Sequence, residues 1–206
     1  MLRRAFLAAC LALSLTAGQA LAATSPDAAR SLIDSMAGDA ISTLSAPDRT
    51  DAQIAGKFHT ILENNFDLPG IAKFVLGRFW RITTPEQQTE YLKLFGDYIV
   101  GIYANRFKQY SGETVTITGV RMDGDDAIVS THINLTRNPQ PVQVDWRVAS
   151  DADGKPRVSD VIIEQVSMSI TQRSEFASII QNGGGNIDTL LSQLRTKTGA
   201  STTAAR

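Results

Sequence analysis

The sequence predicts an α+β fold, a curved antiparallel four-stranded meander sheet with helices packed on one face. Three observations carry this. Apolar residues recur at three and four up to about Tyr110, at two from Thr114 to Val166, and at three and four again from about Gln172. The β-type runs are joined by short turn-rich segments, which favour hairpins over crossovers. Neither a composition shift nor an internal repeat divides the chain, so the helices and the sheet form one domain, expected over residues 23–197.

The first element is not part of that domain. Met1-Leu2-Arg3-Arg4 is a basic start, Ala5 to Ala17 is an apolar run without charge, and Ala20-Leu21-Ala22 is a small-x-small cleavage signature. Residues 1–22 therefore read as a secretory signal peptide cut before Ala23. The run of about 13 apolar residues is too short to span a bilayer, and no later stretch reaches the roughly 18 to 20 that spanning needs. Leu7-Ala8-Ala9-Cys10 also spells the bacterial lipidation motif, but it leaves only about five apolar residues before the cysteine, so the signal-peptide reading is preferred.

Cleavage removes Arg3, Arg4 and the only cysteine, Cys10. About 184 residues remain, with about 18 basic side chains against 21 acidic ones. A chain so balanced lacks the basic excess of a nucleic-acid binder, and without cysteine it has no disulfide, thiol or zinc-thiolate chemistry. An ordinary hydrophobic core must stabilise it; over the full 206-residue sequence 43% of the residues are hydrophobic.

Ser25-Pro26-Asp27 opens the first helix, whose stripe is Ala29, Leu32, Ile33, Met36, Ala40, Ile41 and Leu44. Pro47-Asp48 breaks the pattern. A second helix is expected from Thr50 to Asn64, with Ile54, Phe58, Ile61 and Leu62 inward, and a third from Leu68 to Phe79 with Ile71, Phe74, Val75 and Leu76. Thr84-Pro85-Glu86-Gln87 is a capping box, so the clearest helix starts there and runs to about Tyr110. Leu92, Phe95, Ile99, Tyr103, Phe107 and Tyr110 form one stripe on it, and Tyr91, Leu94, Tyr98 and Ile102 lie alongside. That face is broad and aromatic, thinned by Gly96 and Gly101.

Strands are expected at Thr114–Val120, Ala127–Leu135, Val142–Ala149 and Val158–Val166, with turns at Asp123-Gly124-Asp125, Asn138 to Pro141 and Asp151 to Pro156. Val142, Val144, Trp146 and Val148 alternate with Gln143, Asp145 and Arg147, so the third strand is packed on one face and wet on the other. Helices near Gln172 to Gln181 and Ile187 to Lys197 follow, split by Gly183-Gly184-Gly185, and the small polar stretch 198–206 is expected to be a disordered tail.

Catalytic signatures are scarce. The expected mature chain has no cysteine and no G-x-S-x-G elbow, and its two histidines, His59 and His132, fall on unrelated elements. A calcium loop opening at Asp151 would need a bidentate Glu where Ile162 stands, so Asp151 to Gly154 reads as a turn. Gly183 to Gly185 follows a helix and does not cradle phosphate. No metal or cofactor is expected. The rival reading is a small enzyme with a pocket carboxylate as base, but periodicity points Asp97 and Asp145 to solvent. A third is a module binding only protein partners. The aromatic helix facing an apolar sheet either closes as core or leaves an apolar cavity.

Leu76-Gly77-Arg78-Phe79-Trp80-Arg81, then Thr84-Pro85-Glu86-Gln87-Gln88 with Tyr91, Phe95 and Tyr103, resembles the MlaC and toluene-tolerance family of periplasmic phospholipid-binding proteins. Gly154 to Val161, Glu164 to Ser167, Gln172 to Phe176 and Ile187 to Leu194 are similar to later segments of that family. Two departures are Pro156-Arg157 where the family has Trp, and Gln165 where it has Gly. The resemblance implies a non-enzymatic carrier in the periplasm that encloses the acyl chains of a glycerophospholipid. It implies two partners, an outer-membrane lipoprotein complex and an inner-membrane ABC transporter complex, in outer-membrane lipid homeostasis. A related branch is associated with hopanoid lipids. If the chain binds such a lipid, the broad face of the long helix and the apolar face of the sheet are expected to line its pocket with Leu94, Tyr98, Ile102, Tyr103, Val144, Trp146 and Ile162.

Overall fold

A computed structural model describes residues 23–46, 50–107, 110–136 and 139–204. The expected signal peptide at 1–22 lies outside the described residues. Six α-helices and one sheet make up the fold: α1 (Pro26–Leu44), α2 (Asp51–Asn65), α3 (Leu68–Leu76), a 3-10 segment (Gly77–Ile82), α4 (Pro85–Phe107), β1 (Thr114–Asp123), β2 (Asp126–Asn134), β3 (Val142–Ser150), β4 (Pro156–Ile163), β5 (Val166–Ser167), α5 (Met168–Asn182) and α6 (Ile187–Ala204).

The helix starts follow from side-chain caps. Ser25 caps α1 through Ala28 N, and Thr50 with Gln53 closes a full capping box on α2. At α4, Thr84 N donates to Gln87 Oε1 at 3.0 Å and Gln87 N to Thr84 Oγ1 at 3.3 Å, the reciprocal pair that the sequence predicts. Upstream, Thr24 is buried, its N–H donating to Asp125 O at 3.1 Å and its hydroxyl 3.0 Å from that of Ser150. The chain is thus tied to the sheet just after the expected cleavage point.

The five strands run in the order β1-β2-β3-β4-β5, all antiparallel. The fifth strand arises where a single fourth strand to Val166 was expected. Glu164 and Gln165 both take positive φ, 47° and 67°, as the mirror-image hairpin turns require, and Ile163 pairs back with Val166. Glu164 holds the turn by accepting from Gln143 N at 2.7 Å and donating its own N–H to Gln143 O at 3.1 Å. Bulges at Ile117/Gly119 and Arg147/Val148 interrupt the ladders and bend the strands.

Two apolar clusters divide the interior. One gathers Ala29, Ile33 and Met36 of α1 and Ile61 of α2 on the inner sheet face, against Ala127, Val129, Val148 and Val158. The other joins α3, α4, α5 and α6 around Tyr91, Phe95, Phe176, Ile180 and Leu191. The opposite sheet face carries Ser130, His132, Gln143, Asp145 and Arg147 in register, so the helices lie on one face as the alternation predicts.

Three boundaries differ from the sequence reading. The third helix stops at Leu76, because Gly77 turns to φ 58° and the chain tightens into the 3-10 segment. The fifth begins at Met168, with Ser167 as its cap. The last continues to Ala204, beyond the expected end at Lys197, and Thr198 Oγ1 returns a hydrogen bond to Leu194 O at 2.9 Å within it.

Candidate functional site

Between the two clusters lies a cavity of about 280 Å³. Its floor is the inner sheet face, Ile133, Val144, Trp146, Val161 and Ile163. Phe58 and Leu62 of α2, Ile71 and Val75 of α3, and Phe95, Ile99 and Tyr103 of α4 form its roof. Met168, Ser169 and Gln172 line it from the start of α5, with Phe66 and Leu68 from the α2–α3 junction. The rings of Phe58 and Tyr103 lie 6.3 Å apart and connect α2 to α4 across the roof.

Polar chemistry in this wall is internally satisfied. Trp146 Nε1 donates to Thr131 Oγ1 at 3.0 Å, and that hydroxyl donates to Val144 O at 2.9 Å from a fully buried position. Asp160 accepts Ser167 Oγ at 2.5 Å, Val161 N at 2.9 Å and Ser169 N at 3.1 Å. The carboxylate therefore serves the α5 start. Among the described residues no buried side-chain N or O lacks a partner, and no group of three or more His, Cys, Asp or Glu is placed to hold a metal.

Of the residues expected to bind, Tyr103, Val144 and Trp146 line the cavity. The other four lie elsewhere. Leu94 and Tyr98 belong to the helical core, Tyr98 packing against Phe176 at 5.8 Å, while Ile102 is 37% exposed. Two stripes run side by side on α4, and the one facing the cavity is Phe95, Ile99 and Tyr103, each four residues apart. Leu94, Tyr98 and Ile102 form the neighbouring stripe, rotated towards α5, α6 and solvent. Ile162 is displaced by the β3–β4 bulge. Trp146 pairs with Val161 and Val144 with Ile163, leaving Ile162 opposite Asp145 on the wet face.

Phe95 and Ile99 were legible as the first stripe of α4, and Phe58, Ile71 and Val75 as inner faces of their helices. What periodicity does not supply is which apolar faces meet around a void and which close on each other. The two histidines stay outside this wall. His59 is exposed on α2, 3.2 Å from Glu63, and His132 sits on the wet sheet face. Asp97 pairs with Lys93 at 2.8 Å on the outside of α4.

An unclosed antiparallel sheet with an apolar cavity beneath its helices defines a binding protein built round a void. The chain belongs to the MlaC family, whose model, described as MlaC protein, matches residues 34–196. It is 26% identical over 184 residues to the intermembrane phospholipid transport system binding protein MlaC of Haemophilus influenzae, a match spanning 85% of this chain and 83% of that one. With the toluene tolerance protein ttg2D of Pseudomonas putida it shares 24% identity over 123 residues, 59% of this chain and 57% of that one. Its fold is similar to that of a phospholipid-binding protein from Ralstonia solanacearum, solved in complex with a phospholipid. The TM-score is 0.71 at 23% identity, covering 84% of this chain and 98% of that one.

Proposed function

We propose that this chain is a periplasmic carrier that takes a glycerophospholipid by its acyl chains and moves it between an outer-membrane lipoprotein complex and an inner-membrane ABC transporter. The cavity is the observation that carries this reading. The space is lined almost wholly by apolar side chains, which an apolar ligand would cover and water would not satisfy. Family membership and the names of two relatives point to phospholipid as the occupant.

The energetics fit a carrier. Hiding about 30 methylenes at roughly 0.8 kcal/mol each gives about 24 kcal/mol, beyond the roughly 18 to 21 at which non-covalent affinity saturates. Such a ligand passes between apolar surroundings and does not dissociate into water, and because both sides are apolar the exchange is nearly balanced. The cavity lies just below the usual ligand-site range of roughly 300 to 1,000 Å³ and is lined by apolar groups on every side.

Among the described residues lining the cavity the one carboxylate, Asp160, accepts three hydrogen bonds that hold the start of α5, a positioning role rather than one suggesting catalysis.

Native mass spectrometry of the chain purified from a bacterial periplasm tests the proposal. The expected spectrum shows the mature mass plus a glycerophospholipid, and solvent extraction identifies the lipid. Val144→Glu places an unpaired carboxylate in the floor and lowers the lipid-bound fraction tenfold or more, whereas Ile102→Glu on the outer surface leaves it unchanged. A mature mass without lipid, together with an extract free of lipid, overturns the proposal; a hopanoid in the extract moves the chain to the related branch.

A further inference from the structure

One surface has a composition that the cavity does not explain. From Leu68 to Pro85, through α3 and the 3-10 segment, there is no acidic residue, yet Lys73, Arg78 and Arg81 all lie there, exposed. Arg173 of α5 joins them. Its guanidinium stacks on the Phe74 ring at 4.9 Å and lies 3.0 Å from where a Cβ on Gly77 would stand, so the glycine is its seat. Lys73 rides over Trp80 at 5.8 Å and Arg78 over Phe79 at 5.0 Å.

None of these four cations has an ion pair among the described residues, as is also true of Arg30, Arg121 and Lys155, whereas Lys57, Lys93, Arg147, Arg157, Arg195 and Lys197 each have one; what sets the four apart is their place on the adjoining α3, 3-10 segment and α5. Their side chains make no hydrogen bond among the described residues, in a chain whose formal charge is −1. Large apolar side chains stand among them: Phe74 is 43% exposed, Ile170, one turn before Arg173, is 57% exposed, and Ile82 at the end of the 3-10 segment is 70% exposed.

We propose that this α3–α5 surface is a docking site for the anionic face of a lipid bilayer, the cations meeting headgroup phosphates and Phe74, Ile82 and Ile170 entering the headgroup–acyl boundary. Uncommitted cations interleaved with exposed apolar anchors are the combination that interfacial binding needs. Arginine and aromatic residues are also enriched at protein interfaces, so vesicle flotation separates the two kinds of partner. Aromatic stacking orients the arginine and lysine heads without neutralising them, as a carboxylate would. The surface adjoins the cavity through α3 and α5, because Ile71 and Val75 line the void from the helix that carries Phe74, and Gln172 lines it from the residue beside Arg173. The inference rests on the carrier reading only in that a lipid carrier works at membrane surfaces; the bilayer contact itself is separate from its protein partners.

Vesicle flotation of the mature chain tests it, using phosphatidylcholine with and without phosphatidylglycerol. The chain is expected to float with the anionic vesicles alone and to be released at roughly 1 M salt, where screening acts within about 3 Å. Arg78→Glu with Arg173→Glu lowers partition about 25-fold or more, on about fivefold per cation, and Ile170→Asn lowers it several-fold. Arg81→Glu repeats the charge test at an exposed site with no packing role. Arg121→Glu with Lys155→Glu makes the same net charge change elsewhere and leaves partition unaltered.

Co-purified lipid is measured on every variant, so the two readings fail separately: loss of lipid from the unaltered chain counts against the carrier alone. Absence of flotation, or equal flotation of the Arg78/Arg173 variant, overturns the bilayer proposal. So does a chain that ignores vesicles while the same variant loses lipid-transport activity in cells, an outcome that assigns the surface to a protein partner.

Discussion

Thr131 is the residue on which the cavity floor turns. Its hydroxyl receives the Trp146 indole N–H and gives its own hydrogen to Val144 O, so one buried oxygen orients two lining residues. Thr131→Val keeps the shape and removes both bonds, leaving the indole donor unpaired in an apolar wall. Urea denaturation is expected to show a loss of about 1 to 3 kcal/mol, with Thr131→Ser recovering most of it. An unchanged midpoint would mean that Trp146 finds another acceptor.

Gln165 presents the opposite case, a side chain where the backbone favours none. At φ 67° it lies in the left-handed region that glycine enters without penalty. Gln165→Gly is expected to raise stability by up to about 1 kcal/mol in the same assay, and a loss would show that the Gln side chain contributes contacts of its own.

At the scale of elements, what the sequence discloses tracks local signals. The Thr50 and Thr84 capping boxes, the four long β runs and the alternation through Trp146 all show in the structure, because each is decided within a few residues. Misplacements come where a distant partner decides. Gly77 ends α3 early at the point where Arg173, from another helix, lies across it, and the β3–β4 bulge inverts the facing of Ile162 through a pairing that no alternation within β4 reveals. The stripe error on α4 is of the same kind. Tyr98 and Phe95 are equally apolar positions one helical step apart, and only the packing of α5 and α6 decides which sees the cavity.

The α4–α6 contact also carries a pH dependence. Arg195 grips both oxygens of Glu90, at 2.6 and 2.8 Å, and this hydrogen bonding holds the Glu90 carboxyl below its usual range. A carboxyl lowered in the folded state stabilises fully above its unfolded value and loses that contribution as pH falls through the folded one. Glu90→Gln is therefore expected to melt below the unaltered chain at neutral pH, with the gap closing below about pH 4. A gap that persists in acid would assign the effect to packing.

The whole molecule packs round two apolar clusters with a cavity between them. α1, α2 and the sheet share one core, and α3 to α6 share the other. An apolar ligand in the cavity would touch both clusters, so stability and occupancy should be linked. With free ligand at about 100 times Kd the linkage amounts to about 2.7 kcal/mol, or about 5 to 10 °C in Tm for a domain of this length. Lipid-stripped protein is thus expected to melt lower by that amount and to recover on reloading. Val144→Phe separates occupancy from fold, because it grows a side chain from the sheet floor into the space itself. Calorimetry of the stripped variant should show a Tm equal to or above that of the stripped parent, with the lipid-dependent rise gone. If the variant still retains lipid and the full rise, the ligand sits elsewhere than between the two clusters, and the cavity loses its assigned role.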